Sequence, residues 1–151
     1  MVYLAVILLI FVTDLVIKNI VEKKLEMHKQ IPALNNKIYL TKHHNKGAFL
    51  NSFDSRREVV MLSSIVLTVF AACLFIGTFG KKGKTGLRIA LSLLLGGALS
   101  NTYDRIERGY VVDYLGFQVK NQKLRNVIFN ISDFFIIIGA FLTAIFRDET
   151  S

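Results

Sequence analysis

The sequence predicts a mainly α-helical integral membrane protein with four transmembrane helices. Three observations carry that prediction. Apolar residues make up 52% of the 151 residues, and mean hydropathy is +0.45. They fall in four long blocks rather than being dispersed, as in soluble domains, where they make up ~45–50%. The only proline, Pro32, lies outside all four blocks, so each can form an unbroken helix that satisfies its own backbone groups in lipid.

The blocks are residues 2–21, 59–79, 86–103 and 127–146. Each approaches the ~20 residues that a helix needs to cross a ~30 Å hydrocarbon core. The first lacks a basic leading region and a small-residue cleavage site, and Asp14 and Lys18 interrupt it. It therefore reads as a retained span rather than a removable signal peptide. Between the second and third spans lies a short basic hairpin, Gly80–Thr85. Two longer polar segments, about 22–58 and 106–126, carry strand-favouring runs at Lys37–Lys42 and Tyr110–Tyr114. Four spans leave no room for a separate soluble domain, so residues 1–151 read as a single membrane domain.

The formal charge is +8. The basic residues sit between apolar blocks, which fits anionic headgroups better than nucleic acid. Lys81, Lys82, Lys84 and Arg88 form the densest cationic stretch with no acid beside it, which places the hairpin and both termini in the cytoplasm. The first polar segment has more cations, eight, but also four acids. One cysteine, Cys73, excludes an internal disulfide and stands without a nucleophile's partners. Three histidines, with His43 and His44 adjacent, give little support for a metal site. The two neighbours read as solvated loop residues. No cofactor is implied.

Ionisable groups within spans are costly and mark function by default. Asp14 and Lys18 are four apart on one helix face and can pair. Asn101, Asp104 and Arg105 end the third span, while Asn130 and Asp133 lie early in the fourth. Alternating span directions bring all of these into one leaflet, beneath the two polar segments. A helix from Val127 would put Asp133 roughly 9 Å in at a rise of ~1.5 Å per residue. Asp113, eight residues after Arg105, can return to the same layer. Two carboxylates at a partly dry site share one proton, giving a general acid and a general base able to activate water. The sequence leaves open whether Asp113 and Asp133 meet.

Several residues have ordinary readings beside functional ones. Asp14 with Lys18 fits a structural interhelical pair, and Asp104–Arg105 an ion pair at a helix end. Alone, Asp113 would be a solvated loop acid and Asn45 a turn residue. Gly96–Gly97 fits close helix packing.

Taken together, the motifs resemble those of the lipoprotein signal peptidase, or signal peptidase II, family of bacterial membrane aspartyl proteases. The matching pieces are Asp14-x-x-x-Lys18, Asn45-Lys46-Gly47-Ala48, Gly96–Arg105 followed by Gly109–Tyr114, and Phe129–Asp133. The Asn-x-x-Asp-Arg and Gly-x-Val-Val-Asp pieces are the specific ones. The resemblance implies that Asp113 and Asp133 form the catalytic dyad. It implies that Asn45, Gly47, Asn101, Arg105 and Asn130 line the site, and that Asp14, Lys18 and Asp104 make structural polar contacts.

It further implies cleavage of diacylglyceryl-modified prolipoproteins just before the lipidated Cys, near the outer face of the cytoplasmic membrane. A small extracytoplasmic β-cradle, a short interfacial helix and sensitivity to globomycin are implied too, and nothing in the sequence demands more than a monomer. Two departures stand out. Ser100 replaces a usual Gly, and Phe49 follows Ala48 without a second Ala. Both bear on substrate preference. A small ion- or proton-coupled carrier is the alternative, and a non-catalytic scaffold a third class. The carrier would place its polar groups at the midplane, in paired repeats.

Overall fold

The computed structural model describes residues 1–47, 57–121 and 125–147. Four helices, α1 (Val2–Lys24), α2 (Arg57–Ile76), α3 (Thr85–Glu107) and α4 (Ile131–Arg147), carry a four-stranded sheet. Its strands are β1 (Ile31–Ala33), β2 (Ile38–Asn45), β3 (Val111–Phe117) and β4 (Ile128–Phe129), in spatial order β1-β2-β3-β4, all antiparallel.

Helices α1 and α2 are long and apolar enough to cross a membrane, and α4 is a shorter apolar helix. The helical limits correct the expected spans. α1 runs to Lys24, α2 stops at Ile76 rather than 79, and α3 continues past 103 to Glu107. The largest correction is at the fourth block, expected to be helical from 127. Ile128 and Phe129 are strand, and the helix starts at Ile131. β-branched Val127 and Ile128 suit a strand, and Asn130 caps the helix behind them. Of the expected interfacial helix the described residues hold only Arg125, helical with its N–H on the Asn121 carbonyl at 2.9 Å, and residues 48–56 and 122–124 lie outside them. Ala48 and Phe49, where the second departure falls, lie outside them.

α3 is the central helix. Its apolar core joins Ile7 of α1, Ala71 and Phe75 of α2, and Leu91 and Leu95 of α3. Glycines set its approach to both neighbours. A Cβ on Gly96 would meet Ile10 Cβ at 2.8 Å, and one on Gly97 would meet the Ser132 carbonyl at 2.5 Å. On α4, a Cβ at Gly139 would fall 2.5 Å from Leu94 N. Small residues let helix backbones approach where lipid supplies no hydrophobic drive.

α3 ends at Gly109, whose φ of +79° lets its N–H turn back to the carbonyls of Asp104 and Arg105. The chain then enters β3 directly. At the other end, Arg88 donates to the Thr78 and Lys81 carbonyls at 2.7 and 2.6 Å, closing the basic hairpin.

Both strand expectations hold, in β2 and β3. A register shift between Leu40 and His43 re-aims the end of β2, so that His43 pairs with Asp113 and Asn45 with Val111. Gly116 leaves room for the Tyr39 ring, whose hydroxyl donates to the Arg125 carbonyl at 2.8 Å. The β1–β2 turn holds three consecutive residues at positive φ, Leu34 (+47°), Asn35 (+54°) and Asn36 (+61°). Asn tolerates that region. For Leu the left-handed backbone costs about 1–2 kcal/mol.

Candidate active site

Asp133 is the third residue of α4, in its first turn. This again corrects the deeper placement expected from a helix starting at Val127. A reciprocal cap fixes it. The Asp133 N–H donates to Asn130 Oδ1 at 3.0 Å, and the Asn130 N–H donates to Asp133 Oδ2 at 2.9 Å. This is a capping box built from Asn-x-x-Asp, and the positive end of the helix dipole favours the carboxylate. The remaining Asn130 group, its Nδ2, donates to Asp113 Oδ1 at 2.7 Å. One fully buried residue thus bonds both carboxylates, Asp133 through its backbone N–H and Asp113 through its side chain.

Asp113 comes from the middle of β3 and is 2% exposed. Its other oxygen accepts from Asn45 Nδ2 at 3.0 Å. Burial, then the charge of Asp133, pushes its carboxyl up to about 7, against the opposing pull of the Asn45 and Asn130 donors. Asp133 Oδ1 accepts from Asn101 Nδ2 at 2.8 Å. Each carboxylate therefore accepts two amide N–H bonds, and every donor is neutral.

Behind the pair lies a buried polar layer. Lys18, fully buried, donates to Asn101 Oδ1 at 2.8 Å and to Ser100 Oγ at 3.1 Å. It pairs with Asp14 at 2.8 Å and Asp104 at 3.2 Å. Asp14 collects donors from three other elements: Ser100 of α3 (2.6 Å), Ser132 of α4 (2.5 Å) and Tyr114 of β3 (2.9 Å). Tyr114 also accepts the Ile131 N–H at 3.0 Å. Burial and the Asp14 charge push its phenol well above the usual range, so it stays a donor. Asp104 accepts the Val112 N–H at 3.1 Å and pairs with Arg108 at 2.9 Å.

The expected Asp14–Lys18 pair is therefore made, whereas Asp104 pairs with Lys18 and Arg108 rather than with Arg105. The expected packing role of Gly96–Gly97 also holds. Gly47 lies buried just past β2, two residues after Asn45. Cys73 is exposed on α2.

The pair opens on a cavity of about 440 Å³, lined on its polar side by His43, Asn45, Arg105 and Asn126, and on its apolar side by Ile128, Phe129, Ile136 and Ile137. A second, apolar groove of about 470 Å³ runs among α2, α3 and α4, and it too reaches Arg105, Asp133 and Ile136. Within it, the Thr68 and Thr102 hydroxyls satisfy each other at 2.8 Å. The Arg105 guanidinium, largely buried, makes a long bond to the Asn101 carbonyl at 3.4 Å, and its Nε has no partner among the described residues.

His43 and His44 are not solvated loop residues but part of β2. His44 meets both Glu22 oxygens at 2.9 and 3.0 Å and stacks on Tyr110 at 3.8 Å. Among the described residues, no cluster of three or more His, Cys, Asp or Glu side chains could hold a metal ion.

Reasoning from sequence missed Ser132 and Tyr114 as partners of Asp14. It also missed the Glu22–His44–Tyr110 contact. The first two had a visible signal, since each is a hydroxyl residue beside an acid already singled out. The third joins segments more than 20 residues apart and had none.

Two helices long and apolar enough to cross a membrane and two carboxylates facing one cavity are the arrangement expected of a membrane enzyme of the aspartic protease type. Two solved bacterial membrane enzymes share the fold. One matches with a TM-score of 0.80 at 24% identity, covering 99% of this chain and 90% of the other. A second gives 0.78 at 23%, covering 99% and 94%. The sequence also matches the family described as signal peptidase (SPase) II over residues 6–147. The lipoprotein signal peptidase of Halothermothrix orenii is 32% identical over 146 residues, 97% of this chain and 94% of that protein. The chain belongs to the signal peptidase II family. The carrier and scaffold alternatives fall with that membership.

Proposed function

We propose that Asp113 and Asp133 are the catalytic pair with which this chain removes the signal peptide from diacylglyceryl-modified prolipoproteins, just before the lipidated Cys. The observation that carries the reading is Asn130, which bonds both carboxylates at once beside an open cavity. The family match supports the reaction class, and the H. orenii relative's name supports the substrate class.

In this reading residues 1–151 form one membrane domain. All four helices span the cytoplasmic membrane, with both termini inside and the sheet at the outer face. The substrate arrives laterally, its acyl chains remaining in lipid and its apolar signal segment in the groove among α2, α3 and α4. The pair holds one proton. The ionised carboxylate takes a proton from water as the oxygen attacks the scissile carbonyl, and the protonated one gives its proton to the carbonyl oxygen. The resulting gem-diol collapses as the C–N bond breaks, with a proton passing to the leaving amine. Asn45, Asn101 and Asn130 orient the acids. Arg105, with its unpartnered Nε, is free to bind a substrate carbonyl, and Gly47 keeps the end of β2 close to the backbone of the substrate. Asp14, Lys18 and Asp104 hold the elements in register.

The test is a gel-shift cleavage assay in detergent, with a prolipoprotein bearing or lacking its diacylglyceryl group. Cleavage of the lipidated form alone, blocked by globomycin, is expected. Asp113→Asn and Asp133→Asn should each lower it by at least about 10³-fold, the scale of losing one member of a catalytic constellation, while the protein stays folded in the membrane. Substantial turnover by either variant would overturn the assignment.

A further inference from the structure

We infer that Glu22, His44 and Tyr110 form a clamp behind the sheet, in which His44 is a positioning residue that holds Asn45 on Asp113. The inference rests on the catalytic pair given under Proposed function.

The clamp lies on the opposite face of the sheet from the pair. Asn45 and Asp113 face the cavity. Successive side chains of a strand alternate, so His44 of β2 and Val112 of β3, which pair directly, face α1. Val112 packs there with Val21 and Tyr114. The His44 ring Nε2 meets both oxygens of Glu22, in the last turn of α1, at 2.9 and 3.0 Å. Tyr110, just before β3, donates its hydroxyl to Glu22 Oε1 at 2.9 Å and stacks on the His44 ring, 19° from parallel. An ionised carboxylate only accepts, so Nε2 is the donor. One carboxylate therefore grips β2 through His44 and β3 through Tyr110. These are the strands that present Asn45 and Asp113.

The end of β2 calls for such a hold. Its ladder with β3 is interrupted by the register shift between Leu40 and His43, and resumes for three pairs only. Asn45 is the last residue of the strand. Its bond to Asp113 runs diagonally, to the residue two beyond its own partner Val111. A slide or twist of the strand end would break that bond first. Lys42 adds a pin further back, donating at 3.1 Å to the Glu22 carbonyl, which the end of α1 leaves open. His44 is the anchor next to Asn45 in the chain. A ring fixed on one face fixes the amide on the other. The walls of the two cavities do not include Glu22, His44 or Tyr110, so the clamp reaches the reaction through the strands it holds.

The pH profile of cleavage reads this action. Burial and Asp133 push the Asp113 carboxyl up, and the Asn45 donor pulls it down. Loosening Asn45 removes that pull, so the pair keeps its proton, and its activity, to higher pH. The charged and titratable groups around Asp113 are Asp133, Lys18, Arg105 and, on the paired strand, His43. Around the clamp they are Lys42, Arg108 and Asp104. The variants below leave all of these in place.

His44→Phe and His44→Gln are compared in the full-length protein, with lipidated prolipoprotein as substrate. Neither new side chain titrates. Phe keeps the stack on Tyr110 but loses the donor, whereas Gln offers an N–H to Glu22. For His44→Phe the expected result is a roughly threefold fall in kcat at about pH 6, the scale of one hydrogen bond. Its alkaline limb should move up by at least about 0.5 pH, as far as that of Asn45→Ala. The double variant His44→Phe/Asn45→Ala should move no further, and His44→Gln should restore the parent profile. A limb that stays in place in His44→Phe overturns the proposal, whatever the Tm. Displacements that add in the double variant overturn it too, because His44 would then act by another route.

Tyr110→Phe guards against misfolding, since it removes one hydroxyl and keeps the stack. Its limb should move the same way, and a folded variant with the parent's limb counts against the clamp. Turnover by Asp113→Asn would bring down the catalytic pair itself. Inactive Asp113 and Asp133 variants beside an unmoved His44→Phe limb would bring down the clamp alone.

Discussion

Asn130 shows why one residue type fits its position. The helix cap needs an acceptor, supplied by Oδ1, and Asp113 needs a donor, supplied by Nδ2. Serine would cap equally well and keep the backbone N–H on Asp133, but it would lose the amide donor to Asp113. Asn130→Ser should therefore keep the melting temperature within a few degrees of the parent while lowering kcat by at least about tenfold, roughly the loss of one bond to a charged group. Thermal melts and single-turnover cleavage, read together, check this. Asn45 has a related property. Its Oδ1 is buried with no partner among the described residues, while its Nδ2 donates to Asp113. A half-turn of that amide would present an acceptor, so the same side chain can serve Asp113 protonated or ionised.

The raised pKa of Asp113, about 7, gives a pH dependence of definite sign. A carboxyl whose folded value lies above its unfolded 3.8 favours the folded state when protonated. Its contribution to stability is lost as pH rises from about 4 through about 7. Tm differences between Asp113→Asn and the parent should thus shift in the variant's favour from pH 5 to pH 8. Cleavage should fall above about pH 7 as the pair loses the proton it shares as a unit. An activity that kept rising to pH 9 would count against a shared proton.

At the scale of elements, the α3–α4 contact sets where Asp133 stands. Gly97 touches the Ser132 carbonyl, one residue before Asp133, and Gly139 touches the backbone of α3 two turns deeper. Gly139→Val cannot fit without moving α4. It should cost about 1–3 kcal/mol by overpacking, with a matching fall in Tm in detergent. Because the cap moves with the helix, kcat should fall as well, whereas the exposed Ile145→Val should change neither.

The elements also show how much could be read from sequence. The four apolar blocks, the two strand runs and the i,i+4 pair of Asp14 and Lys18 are local patterns with a period or spacing, and all appear in the fold. The start of α4 is different. Val127–Phe129 is as apolar as the helix it precedes, and hydropathy does not separate strand from helix there. Only the Asn130-x-x-Asp133 cap marks the boundary. The polar layer was legible as a layer, because span direction alternates. Its wiring was not, since Lys18 reaches Asn101 and Asp104 across more than 80 residues, and nothing local encodes that choice.

For the whole molecule, the proposed orientation rests on the cationic hairpin and can be checked directly. In a Cys73→Ala background, a cysteine at Lys82 in the basic hairpin should react with an impermeant maleimide only after the cells are opened. One at Asn35, in the β1–β2 turn, should react in intact cells. The reverse pattern would invert the proposed topology. Three elements, α3, β3 and α4, meet on Asp14 of α1, and Lys18 adds two more contacts to α3, so these helices and the sheet form one unit. Removing the Lys18 charge would leave buried Asp14 without its counter-charge, a loss of about 3–5 kcal/mol in thermal or chemical unfolding.

The open cavity and the apolar groove share Asp133, Arg105 and Ile136 as a common wall. A chain cut at that wall is divided between two rooms of different character. The fragment in the groove is greasy and has no aqueous way out, so it must slide sideways into the bilayer. The other fragment already faces the polar side and can depart first. Turnover would then be paced by clearance of the discarded helix, and a proteolytic partner that shreds it in the membrane would speed the enzyme without ever touching it.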